Sequence, residues 1–164
     1  MKRRAVYPGT FDPVTYGHID LIKRARSIVD EVVVAVAHNP TKAPLFSVEE
    51  RVGLLQQATR GLRGVSVDHF DGLVVDYVRR RKARIVIRGL RMLSDFEYEF
   101  QMALTNRKLA EDVETIFMMP SESYAYVSAR LIKEAGAFGA DLSAFVPPFV
   151  ATALRRKLCD GALV

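Results

Sequence analysis

The chain has 164 residues, 49% of them hydrophobic, and carries 24 Lys and Arg against 19 Asp and Glu, a formal net charge of +5. That length and apolar content suit one domain, residues 1–164, with a sizeable core, and the charge favours anionic partners: nucleic acid, a membrane surface or phosphorylated metabolites. Cys159 is the single cysteine, which excludes an intramolecular disulfide, and no stretch is as long as a membrane span, so a reducing, cytoplasmic setting is expected.

The first apolar run, Arg4–Tyr7, reads as a strand. Met1-Lys2-Arg3-Arg4 imitates the basic start of a signal peptide, but Pro8-Gly9 ends the run too early for an apolar core segment. The chain restarts at Gly17-His18 as an amphipathic helix to about Asp30, with Ile19, Ile22, Ala25, Ile28 and Val29 on one side. A strand running through a Gly-containing turn into a helix N-terminus makes an anion site, because free backbone N–H groups and the helix dipole point outward there. His18, in the first turn, adds a side-chain donor at that spot.

Val32–Ala37 is apolar without alternation, as a strand buried on both faces should be. His38-Asn39-Pro40-Thr41-Lys42-Ala43-Pro44 is a proline-bounded segment, and Ser47-Val48-Glu49-Glu50 is a capping box opening a helix over Val48–Arg60. Further strands are expected at Val65–Val67, Arg84–Ile87 and Thr115–Met118. Helices are expected at Leu73–Lys82, Asp95–Ala110 and Ser128–Ala135, with a last one over Pro148–Leu158 that Pro147-Pro148 suits as a start. The basic clusters Lys2-Arg3-Arg4, Arg79-Arg80-Arg81-Lys82 and Arg155-Arg156-Lys157 fall at element boundaries or on polar helix sides and read as solvated faces. No Gly-aromatic strand motif or finger spacing of a nucleic-acid module is present.

Strands alternating with helices imply an α/β domain: a parallel sheet, right-handed crossovers and helices on both faces. In a five-stranded, doubly wound, Rossmann-like sheet of order 3-2-1-4-5, strands 1 and 4 are neighbours where the order reverses, and ligands sit beyond their carboxyl ends. The connection after strand 1 carries Thr10 and His18; that after strand 4 carries Arg88, Gly89 and Arg91. The connection after strand 2 carries Lys42, and that after strand 5 leads to Ser128. Every phosphate-binding candidate therefore falls on one rim.

Arg88 and Arg91 can present two planar forks to neighbouring phosphates. No serine sits in a Gly-x-Ser-x-Gly elbow, Cys159 has no histidine beside it, and neither Gly-x4-Gly-Lys-(Ser/Thr) nor a post-strand Gly-x-Gly-x-x-Gly occurs. No His, Cys and Asp cluster has metal-ligand spacing, so Mg²⁺ would be held mainly by nucleotide phosphates. Such a site, rich in donors and cations, suits phosphoryl or nucleotidyl transfer by positioning and charge stabilisation.

Thr15-Tyr16-Gly17-His18 resembles the (Thr/His)-x-Gly-His signature of the nucleotidyltransferase superfamily, and its setting, Tyr7 to His18, resembles the bacterial phosphopantetheine adenylyltransferases. Ile87-Arg88-Gly89-Leu90-Arg91 with Asp95-Phe96-Glu97-Tyr98-Glu99, and Val127-Ser128-Ala129-Arg130-Leu131-Ile132-Lys133-Glu134, match the same family in order, so the likeness runs from about Arg4 to Leu158. The resemblance implies adenylyl transfer from ATP to 4′-phosphopantetheine, giving dephospho-coenzyme A and pyrophosphate, in a homohexamer that binds neither nucleic acid nor membrane. It implies that His18 and Thr10 stabilise the transition state while Lys42 and Arg88 orient the attacking phosphate. ATP would be held by Thr10, Phe11, His18, Gly89, Leu90, Arg91, Glu99 and the run Tyr124, Ala125, Tyr126, Val127, Ser128, Ala129 and Arg130. Val74 matches a position lining the pantetheine arm and reads equally as core.

Glu99, without the resemblance, reads as an exposed helix residue. Arg130 stands where the family has a small hydroxyl residue; it either approaches the nucleotide phosphates or pairs outward with Glu134. The protonation of His18 is open, since the helix dipole disfavours the imidazolium and a bound triphosphate favours it. The rival readings are an adenylyltransferase for another phosphorylated acceptor, such as nicotinamide mononucleotide or glycerol phosphate, and a basic nucleic-acid-binding module.

Overall fold

A computed structural model describes residues 2–39 and 43–161. Five parallel strands, β1 (Arg4–Gly9), β2 (Glu31–Ala37), β3 (Val65–Phe70), β4 (Ile85–Gly89) and β5 (Glu114–Met118), lie in the order β3-β2-β1-β4-β5. The helices are α1 (Tyr16–Ile28), α2 (Val48–Ala58), α3 (Val74–Arg80), α4 (Leu93–Leu109), α5 (Ala129–Ala137) and α6 (Pro148–Gly161), with a 3₁₀ turn at Glu122–Tyr124.

Alternate strand residues feed two cores. Ala5, Tyr7, Val32, Val34, Val36 and Ile87 pack under α1, α2, α5 and α6, against Ile22, Leu55, Ile132 and Leu154. Val6, Val33, Ala35 and Val86 face the other way, onto Val75, Tyr77 and Val78 of α3. This period of two, with both faces apolar, is why the β2 sequence shows no polar alternation. The capping box at Ser47 and Glu50 forms as expected.

Several details differ from the sequence reading, among them β4, which runs on through Arg88 and Gly89 rather than ending at Ile87. β1 continues through Pro8 and Gly9, which stay in register with Ala35 and Val36 of β2; Pro8 lies past Val6, the last residue β1 pairs with β4. β3 runs on to Phe70, because β2 pairs with it through Ala37. On α1 it is Leu21, not Ile28, that joins the buried side: Leu21 is 4% exposed and Ile28, in the last turn, 44%. A Cβ on Gly89 would come within 2.6 Å of Leu21 Cδ1, so a glycine there lets α1 lie close against β4.

The basic clusters are largely ion-paired surface. Arg4 meets Glu31, Arg79 meets Asp112, Arg81 meets Asp68 and Lys157 meets Glu50.

Candidate active site

Beyond Val6, β1 and β4 no longer pair, and a cavity of about 740 Å³ opens at the carboxyl edge between them. Its volume is that of an ordinary small-molecule site. Thr10, His18, Arg88, Gly89, Arg91 and Ser128 line it, as the topological argument required, and so do Phe11, Glu99, Tyr124, Val127, Ala129 and Arg130, which only the resemblance implied.

The β1–α1 connection builds one wall. Phe11 takes φ of 50°, a left-handed conformation costly for a residue with a side chain, and its ring folds back over Gly9, where a Cβ would be 2.9 Å from Cε2. The ring stands edge-on to Tyr7 and His18, at centroid distances of 5.3 and 5.0 Å. Thr15 caps α1, and its backbone N–H donates to His18 Nδ1 at 3.0 Å. The bond assigns the proton of a neutral imidazole to Nε2. Burial, then the nearby Arg91 and Arg88 guanidinium groups, lower the His18 pKa to about 4. With Nδ1 accepting a backbone N–H and the pKa lowered, His18 stands as a neutral Nε2–H donor at pH 7.

The end of β4 and the connection to α4 supply the charge; Arg88 and Gly89 close β4 itself, where the sequence reading puts them in the connection after it, and Arg91 follows. Arg88 donates through Nε and Nη2 to both Glu99 oxygens, at 2.8 and 2.5 Å, and through Nη1 to the Pro8 carbonyl at 2.7 Å. Glu99 is 7% exposed, which corrects its reading as an ordinary exposed helix residue. Burial by itself lowers the Arg88 pKa, and the Glu99 carboxylate more than offsets this, leaving it above its ordinary value. Beneath the pair, burial raises the Tyr7 phenol above its usual range, so it stays a neutral donor. Arg91 reaches across to the Val127 carbonyl at 2.9 Å and lies 3.4 Å from Asp95, while Leu90 N–H donates to the Met118 carbonyl at 3.0 Å.

The segment between β5 and α5 is fastened to α1, since Asp20 accepts both Ser121 N–H and Ser121 Oγ–H at 2.8 Å. Tyr124 packs beside Tyr16, Tyr126 is exposed and edge-on to Phe145, and Ser128 caps α5 by accepting Leu131 N–H. The N-terminus of α5, Ser128 to Arg130, thus lies at the cavity rim. Arg130 is 86% exposed along its side chain and pairs with Glu134 at 3.1 Å, the outward arrangement. Ala125 is half-buried next to the cavity's Tyr124. Val74 packs against the α3-side core rather than lining the cavity. Lys42 lies outside the described residues; Ala43 and Pro44 line the cavity.

Three charged residues escaped sequence reasoning. The buried Asp12 carboxylate accepts Leu45 N–H and Phe46 N–H, both at 2.9 Å, and Lys133 Nζ at 2.7 Å. Arg51, 1% exposed, donates to the carbonyls of Phe46, Ser47, Thr10 and Ala37. One signal was available: Arg51 stands four residues before Leu55, on the buried stripe of α2. Among the described residues no three His, Cys, Asp or Glu side chains converge to hold a metal ion. The arrangement offers one neutral N–H donor, two guanidinium groups and backbone amides around one cavity, and suits nucleotidyl transfer.

A cytidylyltransferase-like family model matches residues 6–135. The chain is 56% identical, over 94% of its length and 97% of the relative's, to a phosphopantetheine adenylyltransferase of Caldanaerobacter subterraneus subsp. tengcongensis. It is 52% identical, over 98% and 96%, to the phosphopantetheine adenylyltransferase of Syntrophotalea carbinolica. The fold is also that of a candidate nicotinate-nucleotide adenylyltransferase from Vibrio parahaemolyticus, with a TM-score of 0.71 over 96% of this chain and 95% of that one at 17% identity.

Proposed function

Since this chain belongs to the phosphopantetheine adenylyltransferases within the cytidylyltransferase-like family, we propose that its rim cavity transfers the adenylyl group of ATP to 4′-phosphopantetheine. The products are dephospho-coenzyme A and pyrophosphate, a step of coenzyme A biosynthesis. A phosphate oxygen of the acceptor attacks the α-phosphorus as the bond to the β-phosphate oxygen breaks, and pyrophosphate leaves in line. No covalent enzyme intermediate is needed.

The observation that carries the reading is the meeting of His18, Arg88 and Arg91 at the divergence of β1 and β4. Nε2–H of His18 donates to the α-phosphate as charge builds there, with Thr10 beside it. Lys42 and Arg88 orient the acceptor phosphate, and Glu99 keeps the Arg88 fork in one plane. Phe11 through its backbone, Gly89 to Arg91 and Tyr124 to Arg130 hold ATP, its phosphates resting on the amides that open α5. Val74, at the start of α3, is a pantetheine-arm position on the family resemblance alone, since it packs on the α3-side core outside the cavity lining. Mg²⁺ enters on the phosphates of ATP, as part of the substrate.

The reading carries with it a cytoplasmic setting and a homo-oligomeric working form. In support, no helix among the described residues is long and apolar enough to cross a membrane, and Leu93, Phe96, Phe100 and Leu104 of α4 are exposed apolar side chains that a second copy could cover. The hexameric count rests on the family resemblance. Dephospho-coenzyme A and pyrophosphate formed from ATP, Mg²⁺ and 4′-phosphopantetheine by the purified protein test the reading.

A further inference from the structure

Among the described residues only Phe11 and Lys82 take a positive φ without being glycine, and Phe11 does so inside the β1–α1 connection. A glycine would adopt that conformation freely, so the chain bears the strain in order to keep a ring there. Phe11 is 2% exposed, with Tyr7 edge-on at 5.3 Å and the His18 imidazole at 5.0 Å, its plane turned 70° from the phenyl ring. Gly9 makes room for this: a Cβ there would meet Phe11 Cε2 at 2.9 Å and Cζ at 3.0 Å. Gly9 is itself in register with Val36 in the sheet, so its missing Cβ supplies space rather than conformational freedom. The imidazole needs such a neighbour. Thr15 reaches only Nδ1, through its backbone N–H at 3.0 Å and its hydroxyl at 3.1 Å. Hydrogen bonds tolerate a range of angles and the outer torsion of a histidine is broad, so contacts at one nitrogen leave the ring free to tilt. A flat ring packed against the imidazole removes that freedom and keeps water from it. Burial is the largest cause of the lowered His18 pKa, ahead of Arg91 and Arg88.

We propose that the Phe11 side chain is a positioning residue for the transfer reaction: packed against His18, its ring fixes the imidazole plane, and with it the direction of Nε2–H, and excludes water from the imidazole. The proposal rests on the reading that His18 donates to the α-phosphate. The family resemblance gives Phe11 a backbone contact with ATP, and the role of the ring is additional to it. The ring acts through His18 and touches no reacting atom.

The test uses Phe11→Leu, Gly9→Ala, His18→Ala and the double variant Phe11→Leu with His18→Ala, followed by steady-state kinetics, thermal melts and NMR titration of His18 where it is present. Phe11→Leu keeps an apolar side chain and removes the flat ring. Gly9→Ala leaves Phe11 in the chain and drives its ring away by steric contact. Each of these two should lower kcat about 10–10²-fold with the ATP KM within about threefold. The His18 inflection should move up from about 4 toward 6.5 without reaching it, because Arg91 and Arg88 still oppose the charge. In the His18→Ala background Phe11→Leu should add almost nothing, because both changes remove one donor. A merely structural ring would lower the melting temperature and leave kcat and the His18 titration in place, or its effect on kcat would add in full to that of His18→Ala; either result overturns the proposal. Should Phe11→Leu not fold, Gly9→Ala decides by the same readouts. No product from the wild-type protein with ATP and 4′-phosphopantetheine overturns the functional reading and the proposal with it. Product from the wild-type protein, with kcat unchanged in the variants, overturns the proposal alone.

Discussion

The backbone N–H of Thr15 donates to His18 Nδ1 at 3.0 Å while Thr15 Oγ1 accepts His18 N–H at 3.4 Å, a capping box in which an imidazole stands where a glutamate is usual. The cap and the candidate catalytic group are therefore one side chain. The cap selects the tautomer, and the tautomer leaves Nε2–H as the ring's donor on a residue that lines the cavity.

With a folded-state pKa of about 4 against about 6.5 in the unfolded chain, the native state binds fewer protons than the unfolded one between those values. The stability that His18 contributes is complete above about pH 6.5 and is lost as pH falls toward 4. NMR titration of the imidazole should show no inflection near 6.5; one there would contradict the neutral donor. His18→Ala should lower kcat by about 10²–10³-fold with smaller changes in KM, as for losing one transition-state donor. An unchanged kcat would reduce His18 to a helix cap.

Glu99→Gln keeps the shape of the carboxylate and removes its charge, so Arg88 loses its partner in a mostly buried setting. A fall of about 10–10²-fold in kcat/KM, carried mainly by the phosphopantetheine KM, is expected, together with a loss of about 2 kcal/mol in stability, below that for a fully buried pair. Steady-state kinetics and urea unfolding measure the two. A stable, fully active variant would remove Glu99 from the positioning of Arg88.

Arg130→Ala should leave the ATP KM within about twofold and change stability by no more than about 0.5 kcal/mol, since an exposed pair one helical turn apart contributes little. A several-fold rise in the ATP KM alone would instead put the guanidinium on the nucleotide phosphates.

Direct displacement inverts the α-phosphorus. An ATP analogue chiral at that atom should give product of inverted configuration. Retention would demonstrate an adenylylated enzyme and a nucleophile that the cavity does not show.

Sheet order, helix placement and the rim on which Thr10, His18, Arg88 and Arg91 meet were legible in the sequence, because apolar periodicity and the switch-point rule act over whole elements. What stayed hidden depends on tertiary contact. Glu99 looks like a surface residue of a polar helix until Arg88, eleven residues earlier, turns back to meet it. Asp12 and Lys133 are 121 residues apart, and no local pattern announces their bond. Ile28 keeps the helical spacing but falls in the last turn of α1, where the core has ended.

The central claim is the acceptor. Purified protein with ATP and Mg²⁺ should be assayed for pyrophosphate release against 4′-phosphopantetheine, nicotinamide mononucleotide and glycerol phosphate under one set of conditions. A kcat/KM for 4′-phosphopantetheine at least about 10³-fold above the others, with dephospho-coenzyme A as product, is the predicted result. Equal or faster turnover of nicotinamide mononucleotide or glycerol phosphate would contradict it.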